Sequence, residues 1–270
     1  MIILNLKIKD VEKEIDEKNF EKALAMLDEI ESDDEEYELS LLFKVSCLIN
    51  LKRYEECLAI IDILLKKNPN EELLWADKVM CHYFSGDKNQ ALKSLRKLES
   101  IVNRSDAYSL YVVSQLANLL NRSNKAIEYA NLALEIDENF ERAVIEKAHA
   151  VSRIKDYDEM NECADKLVEL YGDNELLKLT FPFMLKLFSA NYRGCLDLVN
   201  GIEDLDDEII GMMKYAIYNQ MCEDLNVEIY VIGEVESDLD DGLEMLFGYY
   251  YDGVEGGMVG NVSYVIIKKS

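Results

Sequence analysis

A short helical pattern recurs along this chain at an almost constant interval. In the segments NFEKA and RYEEC, the third residue after the aromatic is small or apolar, and matching residues follow further along the chain. The chain is apolar again four and seven residues after each of them, which is typical of one face of an α-helix. The six residues are Ala23, Cys57, Ala91, Ala126, Met160 and Cys195, at intervals of 34, 34, 35, 34 and 35 residues.

A second amphipathic segment precedes each of these helices, as in ELSLLFKVSCLIN (38–50) and AYSLYVVSQLANLL (107–120). Turn-forming residues such as Gly86 and Asp87 lie between the two segments of a unit. Each unit is therefore predicted to be an antiparallel helical hairpin of about 34 residues. Because one hairpin cannot bury its own apolar face, the units are expected to stack into an all-α solenoid.

The period and several individual residues resemble those of the tetratricopeptide repeat family. Trp75 lies where the family often has a tryptophan in the first helix, and ALEIDENFERA (133–143) is similar to the family's helix-end phrase, with Glu138 in place of the usual proline. The resemblance covers about residues 4–219. It implies a right-handed superhelical solenoid of antiparallel helix pairs. Other matching residues are Tyr54, Tyr157 and Tyr192 at the start of second helices, Ala91 and Ala126 at the small site, and Pro69 at the exit.

The repeat pattern ends near residue 222. Beyond it, β-branched and aromatic residues predict strands at 227–232 and 262–267 that could pair with each other, with a short helix over 238–251. We therefore predict a repeat domain at 1–222 and an acidic, glycine-containing appendage at 223–270. The appendage is interpreted either as a cap with a solvated face, or as an acidic docking surface or dimerisation strand.

The net charge of −25 limits the partners that this chain can bind. Such an acidic surface repels phosphate backbones and anionic lipid, so nucleic acid and membrane surfaces are not expected, whereas basic or apolar proteins and peptides are. A simpler interpretation is that the charge only keeps the protein soluble. The six cysteines form no CxxC pair, which indicates buried thiols in a reducing compartment and predicts a cytoplasmic protein.

No constellation of residues indicates catalysis, a cofactor or a metal. His82 is interpreted as a packing residue. The segment SDLDDG lacks the alternating oxygen ligands of a calcium loop, because Leu239 occupies a ligand position. The segment GVEGGMVG (253–260) lacks the lysine and Ser/Thr of a phosphate loop and is predicted to be a flexible turn.

In the family that the chain resembles, a peptide or a helix of another protein lies in the concave groove lined by the first helices. An aromatic and methionine surface is then expected to run into a small basic-polar one, although the tyrosines could instead pack between helices. The leading hypothesis is a non-catalytic adaptor; the alternative is a scaffold that self-assembles through the appendage. The candidate groove residues are Leu42, Ser46, Leu73, Ala76, Met80, Tyr83, Tyr108, Tyr111, Gln115, Asn118, Arg142, His149 and Arg153.

Overall fold

The structure is a computed structural model that describes residues 2–31 and 36–201, single residues between 210 and 224, and three strands between 227 and 268. The helices are α1 Ile2–Asp16, α2 Phe20–Asp28, α3 Tyr37–Asn50, α4 Tyr54–Lys67, α5 Glu72–Phe84, α6 Lys88–Ile101, α7 Ala107–Leu119, α8 Ser123–Ile136, α9 Glu141–Ile154, α10 Tyr157–Tyr171, α11 Glu175–Lys178, α12 Phe181–Phe188 and α13 Tyr192–Asn200, and the strands are β1 Val227–Glu234, β2 Gly256–Val259 and β3 Val262–Lys268.

The chain divides into two compact units, Met1–Ala150 and Val151–Ser270. In the first unit the helices pack as the hairpins α1–α2, α3–α4, α5–α6 and α7–α8. Each hairpin also contacts the next, for example α4 with α5 and α6 with α7, so this unit is a stack of helix pairs as the repeat pattern predicts. In the second unit α12 packs against α10 and α13. The domain boundary predicted at residue 222 stays a prediction.

The six repeated small or apolar residues are all buried. The apolar residues four and seven positions later are buried as well, apart from Ile202, which lies outside the described residues. In the first unit they contribute to two core clusters, one built from α1 to α5 and the other from α5 to α9. Trp75 on α5 packs against both clusters, and its Nε1 donates a hydrogen bond to the carbonyl of Pro69 at 2.9 Å.

Every hairpin turn contains one residue with a positive φ. In five of the six turns the residue after it donates its N–H to the carbonyl five positions earlier, as Arg53 does to Leu48 at 2.9 Å. This is the hydrogen bond of a Schellman cap, in which the positive-φ residue ends the first helix. The six residues are Lys18, Lys52, Gly86, Asn121, Lys155 and Ala190, and they repeat at the same intervals as the buried small residues.

The turn at Gly86 is the one of the six without this hydrogen bond, but it gives a direct test of the positive φ that all six turns share. Its φ is +89°, and an added Cβ would meet no atom within 4 Å, so Gly86→Ala isolates the cost of the backbone conformation. We expect Gly86→Ala to lower the free energy of unfolding by about 1 kcal/mol. Lys52→Gly, at the equivalent position with φ of 58°, should raise it by up to about 1 kcal/mol. Urea titrations measure both; a change of the same sign in the two variants contradicts the shared turn geometry.

In the second unit, the first helix of the last hairpin is broken. The short helix α11 ends at Lys178 and α12 begins at Phe181, with Pro182 in its first turn. Proline lacks the N–H of a helix interior and its ring disfavours helical backbone in the residue before it, so it is tolerated only at a helix start. The sequence LLKLTFPF therefore forms two helices where the other repeats have one.

The three strands form one sheet with the order β1-β3-β2. The strands β1 and β3, which overlap the predicted segments 227–232 and 262–267, pair antiparallel with each other. The turn predicted for the glycine-rich segment is wrong for residues 256–259, which form β2 against β3. Glycine has a low strand propensity, but the pairing uses backbone groups that every residue carries. The helix predicted at 238–251 lies outside the described residues.

Candidate functional site

An open groove of about 560 Å³ lies between α3 and α5 in the first unit. We call it the α3–α5 groove. The apolar side chains that line it are Leu42, Val45 and Ile49 from α3 and Leu73, Leu74 and Met80 from α5, together with Leu64 from α4. Residues three and four apart on a helix share one face, so the first helices of two neighbouring repeats present matching apolar stripes to the groove.

The exposure of two leucines distinguishes this groove from the core. Leu42 is 43% exposed and Leu73 is 62% exposed, although both are large aliphatic residues on helices that also supply buried core side chains. The neighbouring residues Leu41 and Leu74 are buried. Each step along a helix turns the side chain by about 100°, so one leucine of each pair is buried while the other is exposed to the groove.

A second cavity of about 440 Å³ lies beside the first, between the start of α5 and the start of α7. We call it the α5–α7 groove. Leu73 and Glu71 line both grooves, and Tyr108, half exposed, lines the second. Asp106 also lines it and caps α7, because its carboxylate accepts the backbone N–H of Ser109 at 2.9 Å. Hydrogen bonds from Ser109 and from the backbone hold the pKa of Asp106 below its ordinary value.

The structure brings some of the predicted groove residues together and separates others. Leu42, Ser46, Leu73 and Met80 line the α3–α5 groove, and Tyr108 lines the α5–α7 groove. Tyr83, Gln115, Arg142 and His149 line neither of these two grooves, and Arg153 belongs to the second unit.

Three predicted groove residues are buried: Ala76, Tyr111 and Asn118. The ring of Tyr111 packs against the rings of Tyr108 at 5.7 Å and Phe140 at 5.4 Å. A first helix in the stack contacts its own second helix and both neighbouring repeats, as α5 contacts α4, α6 and α7, so only a narrow stripe of its surface stays open. The tyrosine at 108 is on that stripe, and the one at 111 is not.

Between α7 and α9 the structure contains a polar network that the sequence analysis did not predict. The Asn118 Nδ2 donates to the Glu146 carboxylate at 2.7 Å and to the Glu146 carbonyl at 2.8 Å. The His149 Nδ1 lies 4.0 Å from the same carboxylate. Burial alone would raise the pKa of Glu146, but the interactions with His149 and Asn118 outweigh it and lower that pKa. The surface predicted to be basic and polar thus contains a carboxylate at its centre.

Asp77 on α5 occupies the same repeat position as Glu146 on α9. It lies nine residues before the positive-φ Gly86, as Glu146 lies nine residues before Lys155. Counting from the turns in the same way, Asn118 and Ile49 are also equivalent, each three residues before its positive-φ residue. Asp77 therefore has an isoleucine in the preceding repeat where Glu146 has an amide donor.

The surroundings of Asp77 are consistent with that difference. Its side chain is partly buried and lines the α3–α5 groove. In the described part of the chain, its carboxylate makes no hydrogen bond or ion pair, and burial raises its pKa to about 6. Asp77 does not stand out in the sequence, because one acidic residue among 54 carries no signal by itself. Alignment of the repeats on their buried small or apolar residues gives Asp77 and Glu146 equivalent positions, each 14 residues before such a residue.

Comparison with known proteins agrees with this architecture. Residues 14–78 match the family model of the tetratricopeptide repeat. This segment contains tetratricopeptide repeat sequence. No curated protein matches the chain in sequence.

Solved structures are similar in fold to the chain over most of its length. A tetratricopeptide repeat protein from Parabacteroides merdae has a TM-score of 0.57 at 16% identity and covers 82% of this chain and 90% of its own. The MamA RS-1 ArsTM double mutant has a TM-score of 0.52 at 20% identity and covers 63% of this chain and 95% of its own. At these identities the similarity shows the fold, and it confirms the predicted stack of helix pairs.

Two further observations concern what the described residues can hold. They contain no group of three or more histidine, cysteine or acidic side chains placed to bind a metal ion. Among the same residues, no helix has the length and apolar character needed to cross a bilayer.

Proposed function

We propose that this chain is a non-catalytic adaptor that holds a peptide, or a segment of another protein, in the α3–α5 groove. The observation that carries the proposal is the pair of exposed leucines, Leu42 from α3 and Leu73 from α5, that both line this groove. Exposed apolar side chains around a concave surface are typical of interaction sites, and stacked helical repeats supply such surfaces.

The dimensions of the two grooves support an extended ligand. A volume of about 560 Å³ accommodates a few side chains, and the neighbouring groove adds about 440 Å³. Leu73 borders both, so a segment that crosses this residue would contact α3, α5 and α7 in turn. The half-exposed ring of Tyr108 would then form the far wall of the site.

The test uses peptides selected from a random displayed library on the full chain, labelled and titrated by fluorescence anisotropy. We expect the double variant Leu42→Ser/Leu73→Ser to weaken binding by at least about 30-fold, because each leucine loses roughly 1–2 kcal/mol of apolar burial. Ile63→Ser/Ile136→Ser is the matched control. It also removes two exposed aliphatic side chains, but neither lines a groove described above. Equal affinities of the two double variants contradict the proposal.

Self-assembly through the appendage is the second candidate function. The observation in its favour is the order of the sheet, in which β1 and β2 are the edge strands, since strand edges can pair with another chain. Light scattering of the full chain tests it, and a monomeric mass across the concentration range contradicts it.

We also propose a reducing compartment, the cytoplasm, for this protein. The five cysteines in the described residues are free and buried, which supports the assignment.

A further inference from the structure

We infer that the α3–α5 groove selects a segment in which a lysine or arginine lies two residues from an aliphatic side chain, and that Asp77 binds the cation. The inference rests on the proposed function and specifies which side chains the bound segment carries. It follows from three features of the groove: its charge, the missing partner of Asp77, and the spacing of Leu73 and Asp77.

The charge of the groove has one sign. Among the described residues, three carboxylates line it, those of Glu38, Glu71 and Asp77, and no lysine or arginine does. Glu38 already contacts Lys67 and Asn68, both at 3.2 Å. Glu71 and Asp77 make no such contact in the described part of the chain, so two carboxylates stay available to a cationic ligand. An acidic or uncharged segment would leave them without a counter-charge next to apolar surface.

A comparison with Glu146 shows which kind of partner Asp77 lacks. The equivalent carboxylate of Glu146 is bound by Asn118 at 2.7 Å, whereas the residue equivalent to Asn118 in the preceding repeat is Ile49, which lines the same groove as Asp77. A partly buried carboxylate beside an aliphatic side chain loses hydration without gaining a donor. A lysine or arginine head would supply a charge-assisted hydrogen bond, while its aliphatic stem would lie along the apolar lining.

The spacing on α5 sets the spacing in the partner. Leu73 and Asp77 are four residues apart, which is about 6 Å along a helix axis. In an extended peptide, side chains two residues apart point to the same side at about 6.6 Å. An aliphatic residue against Leu73 and a basic residue against Asp77 therefore match an aliphatic-x-Lys/Arg segment, in either order. A metal ion is a poorer occupant, because the described residues offer no group of three suitable ligands there.

The experiment uses the library selection on the full wild-type chain and then two synthetic peptides of one selected sequence, one with lysine and one with norleucine at the basic position. We expect enrichment of aliphatic-x-Lys/Arg sequences. Asp77→Asn should lower the affinity for the lysine peptide by about 10-fold and change the affinity for the norleucine peptide by less than about twofold. Asp62→Asn is the matched control, because it removes an aspartate carboxylate that already pairs with Lys78 and lines neither groove, and it should change both affinities by less than about twofold.

The outcomes separate this inference from the proposed function. One outcome is that selected peptides bind the wild type and lose affinity in Leu42→Ser/Leu73→Ser, which supports the adaptor proposal. If those peptides lack basic residues, or bind Asp77→Asn as tightly as the wild type, the inference about the basic residue is overturned. If no peptide is selected, or binding survives the double leucine variant, both are overturned.

Discussion

Ile61→Ala is expected to lower the free energy of unfolding by about 3 kcal/mol. The side chain of Ile61 on α4 is 0% exposed and belongs to the core cluster of α1 to α5, so its truncation leaves a cavity between packed helices. Urea unfolding followed by tryptophan fluorescence measures the effect. Trp75 is the single tryptophan of the chain and packs against both clusters of the first unit, so its signal reports on that unit.

Ile63→Ala is the control for this prediction. It removes the same atoms from the same helix two residues later, where the side chain is 44% exposed. We expect a change of less than about 0.5 kcal/mol, as for most surface substitutions. Equal shifts of the urea midpoint in the two variants would contradict the assignment of which face of α4 is buried.

Asp77→Asn is expected to stabilise the protein at pH 7.5, by about 2 kcal/mol. Burial raises the pKa of Asp77 to about 6, above that of the unfolded chain, so the fold disfavours its ionised form. The resulting loss of folding free energy is absent below the pKa of Asp77 in the unfolded chain. It grows as the pH rises towards 6, the pKa in the folded chain, and is complete above that pH. The gain from the substitution should therefore almost disappear at pH 4. Chemical denaturation of variant and wild type at both pH values measures it, and their difference removes the contributions of Glu38 and Glu71 in the same groove.

Glu146→Gln is the matched variant with the opposite sign. Interactions with His149 and Asn118 lower the pKa of Glu146 despite its burial, so ionisation of this residue stabilises the fold. That contribution is present above the unfolded pKa and is lost as the pH falls through the folded one. Because hydrogen bonds to a charged group contribute more than those to the neutral amide of glutamine, we expect the free energy of unfolding to fall by about 1 kcal/mol at pH 7.5 and by less at pH 4. Changes of the same sign in Asp77→Asn and Glu146→Gln contradict the difference between the two carboxylates.

The repeat could be predicted from the sequence because burial acts on every copy in the same way. The six small or apolar residues from Ala23 to Cys195 are buried in every repeat, so the need to pack gives the same residue pattern at each interval. The hairpin turns show almost no recurring residue pattern in the sequence. Only Gly86 and Asn121 are residue types that favour a positive φ; the other turns place lysine or alanine there, and the Schellman hydrogen bonds use backbone groups alone.

The candidate site was harder to predict than the fold, because it depends on differences between repeats. The sequence pattern placed Ala76 and Leu73 on the same surface, yet one is buried and the other exposed, since neighbouring repeats cover different parts of α5. The importance of Asp77 depends on Ile49 in the preceding repeat, 28 positions before it in the chain. No local pattern joins these two residues; only the stack brings them to one groove.

The constant geometry of the hairpin turns confines length variation to the connectors between hairpins. Three residues separate α3 from α4, α5 from α6 and α7 from α8, whereas four residues separate α4 from α5 and five separate α6 from α7. A Schellman cap has a fixed number of atoms, but a connector closes its span at little entropic cost when it is lengthened. Foreign loops can therefore be grafted between the exposed residues Arg104 and Ser105, which leaves the buried Val102 and the cap residue Asp106 in place and makes this point of the connector suitable for a fluorophore or an affinity handle.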